Sequence, residues 1–452
     1  MKKIKRWTIT MLCVMLALFA AACGNNGNSN NGNSGNNGNG SETVSGMEGG
    51  SNQGEEKEST ELTFWSLGNN GYEALVEEWN QAHPDIQVKV QNTGDQTAHH
   101  NNMLTALSAG SGAPDIFMLE IAFVDKFLEA TDKFYNLYDL GAKDIEGDYL
   151  EWKWLQASSK DGSFQLGVPT DIGPTVAYYR ADLMEQAGLP TEPEAFSEAI
   201  NTWDKFAEVG KQFTEKTGVP FTDLTDLLYN AVRDQSDGEI YFSKEDGSFI
   251  GEDNPQVKKA FDYTVQAIQE GWISNYVLWS PEWYEATNQG GFGVMLAPSW
   301  MIGTIKGNAP DAAGKWRIAQ LPEGSGNWGG SFLTIPKEGD HPEEAYEFIT
   351  WLAGKENQLK SFQAAGLMSS IPELYEDPEF SGYQDEYFGN QTIAEQFAEA
   401  ASRINPMYYG GLHDTVDTYF KNALRNVIEK QADPQEEWEE AIRQAEQLAK
   451  RG

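Results

Sequence analysis

The chain has 452 residues, of which 69 are Asp or Glu and 32 are Lys or Arg, for a net charge of −37. That balance excludes a partner held through a phosphate backbone, so no nucleic acid is expected, and it weighs against a strongly anionic ligand. Cys13 and Cys23 both precede residue 24, so no disulfide can staple the body, which must be stable through its core.

Residues 1–6 (MKKIKR) carry four positive charges and lead into an apolar run from Trp7 to Ala22. The run is too short and too tightly bounded for a membrane span and reads as a signal peptide over 1–22. Ala20, Ala21 and Ala22 then meet Cys23 and Gly24, which resembles a bacterial lipoprotein processing site. The resemblance implies that the Cys23 sulfur carries a diacylglyceryl group, whose two acyl chains hold a protein firmly on a bilayer. A cleaved signal with an incidental cysteine is the alternative. Residues 23–59 are rich in Gly, Asn and Ser and nearly free of apolar side chains, the composition of a disordered tether between membrane and body.

The body begins with ELTFW (61–65), which alternates like a half-buried strand and is broken by SLGNNG. Tyr72, Leu75, Val76 and Trp79 then fall on one helical face, and HPDIQVKV opens a second, β-branched strand. Two strands joined by a helix predict a βαβ unit in a parallel sheet. A helix over Asn101–Ala109 stopped by Gly110 and a strand at APDIFML follow.

From here the order of segments resembles the extracellular solute-binding proteins of carbohydrate ABC importers (family 1), the group that includes maltose-binding protein. The resemblance rests on LSAGSGAPDIFMLE, GVPTDIGPTVAYYRADLMEQAGLP, NTWDKFAEVGKQFTEKTG, GGFGVMLAPSWMIGTI, LPEGSGNWGGSFLTIPKEGDHPEEAYEFITWLAG and AAGLMSSIPELYEDPEF, in that order over residues 60–452. It implies a two-lobed α/β fold of the periplasmic-binding-protein type (type II), with a ligand cleft between lobes and three hinge crossings. The crossings are expected near 168–170, 322–327 and 366–372, giving lobe 1 as 60–169 with 327–370 and lobe 2 as 170–326 with 371–452. The implied partners are an oligosaccharide and the transmembrane subunits of an ABC permease, with the chain acting as a monomer, without a cofactor and without catalysis.

Ligands in open α/β sheets collect beyond the carboxyl ends of strands, which selects among the many aromatics. Trp79, Phe206, Phe213, Phe348 and Trp351 sit in helical periodicity and read as core. Trp300 follows the strand FGVMLA and a Pro298-Ser299 helix start in which Ser299 is expected to cap. In the resembling family an aromatic here stacks on a sugar ring; burying one apolar sugar face contributes roughly 1 to 3 kcal/mol at about 25 cal/mol per Å². By the same rule Trp65 is expected just past the first strand. Trp328 lies beside Gly329 and Gly330, where missing side chains let the backbone approach a ligand, and Trp279 with Trp283 offers a second aromatic wall. Carboxylates suit hydroxyl edges, which selects Glu120 at the end of its strand and Asp171 in PTDIGP, with Tyr178 on the strand after it. Arg403 is added from the resemblance alone.

Each of these residues also has an ordinary structural role open to it: core packing, helix capping, a turn, or a surface ion pair. Glycoside hydrolysis by a Glu120 and Asp171 pair is the rival function, and the same fold binding a peptide, polyamine or ferric ion is a third. No phosphate-binding loop, G-x-S-x-G elbow or H-E-x-x-H is present among the motifs, and the five histidines do not suggest a metal set.

Overall fold

The computed structural model describes residues 59–451. The expected signal peptide, Cys23 and the tether up to residue 58 lie outside the described residues. The first five strands in chain order are β1 (Thr60–Ser66), β2 (Ile86–Asn92), β3 (Ile116–Glu120), β4 (Gly167–Pro169) and β5 (Thr175–Arg180). Besides a separate two-stranded ladder of Gln384–Asp385 with Gln391–Thr392, three more follow: β6 (Val294–Pro298), β7 (Trp316–Ala319) and β8 (Ser331–Thr334). They form two α/β lobes, one on a five-stranded sheet ordered β2-β1-β3-β8-β4 and one on a three-stranded sheet ordered β6-β5-β7.

The expected βαβ unit is present, since β1 pairs in parallel with β2 and β3. The larger sheet is nevertheless mixed, because β8 returns from late in the chain and runs antiparallel between β3 and β4. Alternation decides which face each residue serves. Met118, Val168 and Leu333 point to a core with Leu62, Phe64, Trp79 and Phe348. Phe117, Leu119 and Phe332 point the other way, toward Met103 and Phe127. With both faces covered, the central strands read as unbroken apolar runs.

The helix expected at Asn101–Ala109 starts a turn and a half earlier, at Gln96, because the Asp95 carboxylate accepts the Ala98 amide at 2.7 Å and caps it. The helix Trp203–Thr217 is bounded by local signals: Thr202 accepts the Lys205 amide and Gly218 ends it in the left-handed region. Its apolar stripe, including Phe206 and Phe213, packs in the core.

Two helices, Thr225–Arg233 and His413–Lys430, are fastened by a buried charge network. Arg233, at the end of the helix Thr225–Arg233, is 3 % exposed and pairs with Asp234 and with Asp417 of the helix His413–Lys430. The Tyr241 hydroxyl donates to Asp417 at 2.8 Å, and Lys421 pairs with the same carboxylate. These partners hold the Asp417 carboxyl far below the usual range against the opposing effect of burial.

Between the sheets, three backbone segments run side by side. Residues 170–174 link β4 to β5, and residues 320–330 link β7 to β8. The Ile172 amide donates to Met368 O at 2.8 Å, so residues 366–371 flank the first segment. On its other side Trp328 N donates to Gly173 O at 2.9 Å and Thr175 N to Gly326 O at 3.0 Å.

Candidate functional site

Four tryptophans from three stretches of chain converge beside these segments. Trp300 lies between the end of β6 and the helix Met301–Asn308, half-buried. Its indole N–H donates to Trp328 O at 2.9 Å, and the two rings are 5.1 Å apart, edge to face. Trp279 stands 6.2 Å from Trp300 at 31° and 5.4 Å from Trp283 at 77°. It is 43 % exposed and holds φ of 67°, a backbone strain that a bulky residue adopts only when its surroundings impose it. Trp283 is fully buried behind it, its indole donating to Asp223 Oδ2 at 2.9 Å. The array therefore has an open plate, Trp279, two half-buried plates, Trp300 and Trp328, and a buried bracket, Trp283.

The segment from Trp328 to Ser331 joins this array to a charged group. Gly329 has φ of 97°, and a Cβ there would sit 2.6 Å from the Trp300 indole nitrogen. Gly330 O accepts the Ile121 amide at 3.2 Å, and Ser331 N donates to Asp171 Oδ1 at 3.0 Å. Asp171 Oδ1 also accepts the Thr170 hydroxyl at 2.6 Å. Burial raises the Asp171 carboxyl, while Thr170, Lys153 and Ser331 pull it back.

Glu120 faces Ser331 across the β3–β8 pairing. Its Oε2 accepts the Ala122 amide and the Gln96 side chain, each at 2.8 Å, and its own amide donates to His100 Nε2 at 3.1 Å. That bond requires a neutral His100, which burial enforces by holding the imidazole at about 3. Burial likewise pushes the Glu120 carboxyl up to about 7, opposed by the Ala122 amide and Lys153.

The other expected residues are placed elsewhere. Trp65 lies inside β1, not past it, and packs half-buried against the core that holds Phe117. Tyr178 is a core residue: it is fully buried between Phe388 and Phe397, and its hydroxyl donates to Pro298 O at 2.8 Å. Every residue of β5 is covered on both faces, so position on that strand gave no exposure. Arg403 donates to Gln320 Oε1 and Leu321 O, each at 3.2 Å, on the rim of a polar hollow of about 390 Å³ that contains none of the four tryptophans. Ser299 does not cap the helix after β6; its hydroxyl points to Ile172 O at 3.5 Å, and the helix begins without a side-chain cap.

Two residues of the site escaped sequence reasoning. Asp223 is 1 % exposed, and burial pushes its carboxyl up to about 7 against the pull of the Trp283 indole. Its signal was slight: Thr222 makes isolated parallel bridges to Ile273 and to Val294, the first residue of β6, and Asp223 follows directly. Lys153, buried on the helix Glu151–Gln156 beside Gly330, had none: EWKWLQ reads as an ordinary amphipathic turn.

Among the described residues, no cluster of His, Cys, Asp or Glu has the makings of a metal site, and no helix is long and apolar enough to cross a membrane. What the arrangement offers is flat apolar faces next to buried acceptors, the complement of a molecule with C–H faces and hydroxyl edges.

Residues 65–359 match the sequence model of the family described as bacterial extracellular solute-binding protein. The chain is similar to the arabinooligosaccharide-binding protein of Bacillus subtilis (strain 168), 31% identical over 378 residues that cover 77% of this chain and 83% of that one. It is similar also to the arabinooligosaccharide-binding protein of Halalkalibacterium halodurans, 28% identical over 405 residues covering 84% and 87%. A crystal structure described as an extracellular solute-binding protein of family 1 matches with a TM-score of 0.78 at 32% identity, over 86% of this chain and 100% of that one.

Proposed function

The chain belongs to the bacterial extracellular solute-binding proteins, and from that premise we propose that it captures an extracellular oligosaccharide and presents it to an ABC permease. The supporting observation is the array of Trp279, Trp300 and Trp328, joined through Gly329 and Gly330 to Asp171 and Glu120. Several plates suit several sugar units better than one, since each ring face covered adds its own apolar contact. Asp223 joins Asp171 and Glu120 as a hydroxyl acceptor beside the plates. The relatives' ligands make arabinooligosaccharides the first candidates. In this reading no covalent bond is made or broken, and Cys23 anchors the protein by lipid to the outer face of the cell membrane.

Isothermal titration calorimetry against arabinooligosaccharides, lactose, maltooligosaccharides and their monomers tests the reading. Binding with affinity rising from monomer to trimer supports it, and heat from none of them overturns it. Turnover of any oligosaccharide in proportion to protein concentration overturns the binding-only part. Mass spectrometry of the membrane-bound protein reads the acylation of Cys23 directly.

A further inference from the structure

Lys153 differs from the other lysines among the described residues in where its charge ends up. The residue is fully buried and Nζ makes no hydrogen bond. It sits 4.0 Å over the Phe332 ring, and a Cβ on Gly330 would come within 2.8 Å of Nζ and 2.6 Å of Asp171 O. The ammonium is thus lodged where the 170–174 segment passes Gly330, next to the residue whose amide holds the Asp171 carboxylate. Burial of an ammonium without a hydrogen-bonding partner is costly, and burial brings Lys153 down to about 8, with the charges of Asp171 and Glu120 opposing.

Each neighbouring carboxylate keeps one oxygen free of protein donors. Glu120 receives both its bonds at Oε2 and Asp171 both at Oδ1. An ionised carboxylate offers that oxygen to a hydroxyl; a protonated one turns donor and loses acceptor capacity. The charged and titratable groups acting on Glu120 are Lys153, Asp414 and Tyr409, with neutral His100 at its amide; those acting on Asp171 are Lys153 and Tyr72. Lys153 is the cation acting on both. Its Nζ is sealed from solvent, so it acts through the carboxylates and not by touching a ligand.

We propose that Lys153 is a positioning residue that keeps Glu120 and Asp171 ionised as acceptors for the hydroxyls of the bound sugar. This rests on the reading that both carboxylates face the ligand. The test is calorimetric affinity for arabinotriose, or for the tightest binder of the panel above, from pH 5.5 to 8 in wild type and Lys153→Met. In wild type the affinity rises as pH passes about 7. In Lys153→Met the rise is displaced upward by about one pH unit, making binding at pH 7 roughly five- to tenfold weaker with the gap closing toward pH 8. A uniform loss at every pH, or an unmoved profile, overturns the proposal. Lys153→Gln keeps a polar tip and carries the same expectation should the methionine variant not fold. Glu120→Gln and Asp171→Asn separate the two levels: wild-type affinity in both sinks the site reading, whereas weakened affinity with unmoved Lys153 profiles sinks this inference alone.

Discussion

Two of the places where the molecule buries charge treat it in opposite ways. Around Arg233 every ionised group meets a counter-ion directly, and the result ties one helix to another. Around Lys153 the ammonium has no hydrogen bond, and each carboxylate nearby leaves an oxygen unspent. A satisfied network fixes architecture, because removing one member strands the others in a low dielectric. An unsatisfied one is tolerable only where a later partner or a shifted proton completes it.

The largest expected effect breaks the first region. Arg233→Met strands Asp234 and Asp417 and should lower stability by about 3–5 kcal/mol, read from denaturant midpoints, with the affinity of the folded fraction unchanged. Lys153→Met, which breaks no direct ion pair, should cost less in the same measurement; an equal cost would erase the contrast between the two regions.

Trp300→Ala should weaken sugar binding at least about tenfold, or about 1.4 kcal/mol, with a nearly unchanged melting temperature. A large stability loss at constant affinity would return Trp300 to the core. For Glu120, a folded value of about 7 against 4.5 means that the folded state holds a proton the unfolded chain has released. Its contribution is therefore lost as pH rises from about 4.5 to 7, and Glu120→Gln should be more stable than wild type at pH 8 by about 1 kcal/mol or more, with the difference vanishing near pH 4.

An opposite trend belongs to the histidines. Burial holds His100 and His413 at about 3 in the folded protein against 6.5 unfolded. The unfolded state binds their protons first, so stability should fall as pH drops from about 6.5 toward 3. Urea midpoints at pH 7, 5 and 4 check this, and a His100→Gln, His413→Gln double variant should flatten the slope. The smallest effect is Arg403→Ala, which should change sugar affinity less than about twofold, since its guanidinium is spent on Gln320 and Leu321 at a hollow apart from the tryptophans.

How much of this was readable beforehand depended on the range of the interaction. Strands β1 to β3, the helices among them and the position of Trp300 follow from period, breakers and strand ends, all local signals. The return of β8 between β3 and β4 is set by a partner more than 160 residues away, and nothing local announces it. The same limit explains the correction at Tyr178, which looked placed for a ligand by position on a strand but is enclosed by Phe388 and Phe397, distant in sequence. Asp223 was barely within reach, through the isolated bridges at Thr222. Lys153 was not, because a buried lysine differs from a surface one only in what folds over it.

The three adjacent backbone segments carry a mechanical consequence. Laced by backbone hydrogen bonds from Ile172 N to Met368 O and from Trp328 N to Gly173 O, they behave as a flat strap and not as three separate cords. A strap of this kind flexes readily across its thin dimension and resists both shear and twist, since those motions stretch the lacing. Opening should then follow a single angular coordinate, and the two halves of the molecule should meet again in the same register after every cycle of loading and release.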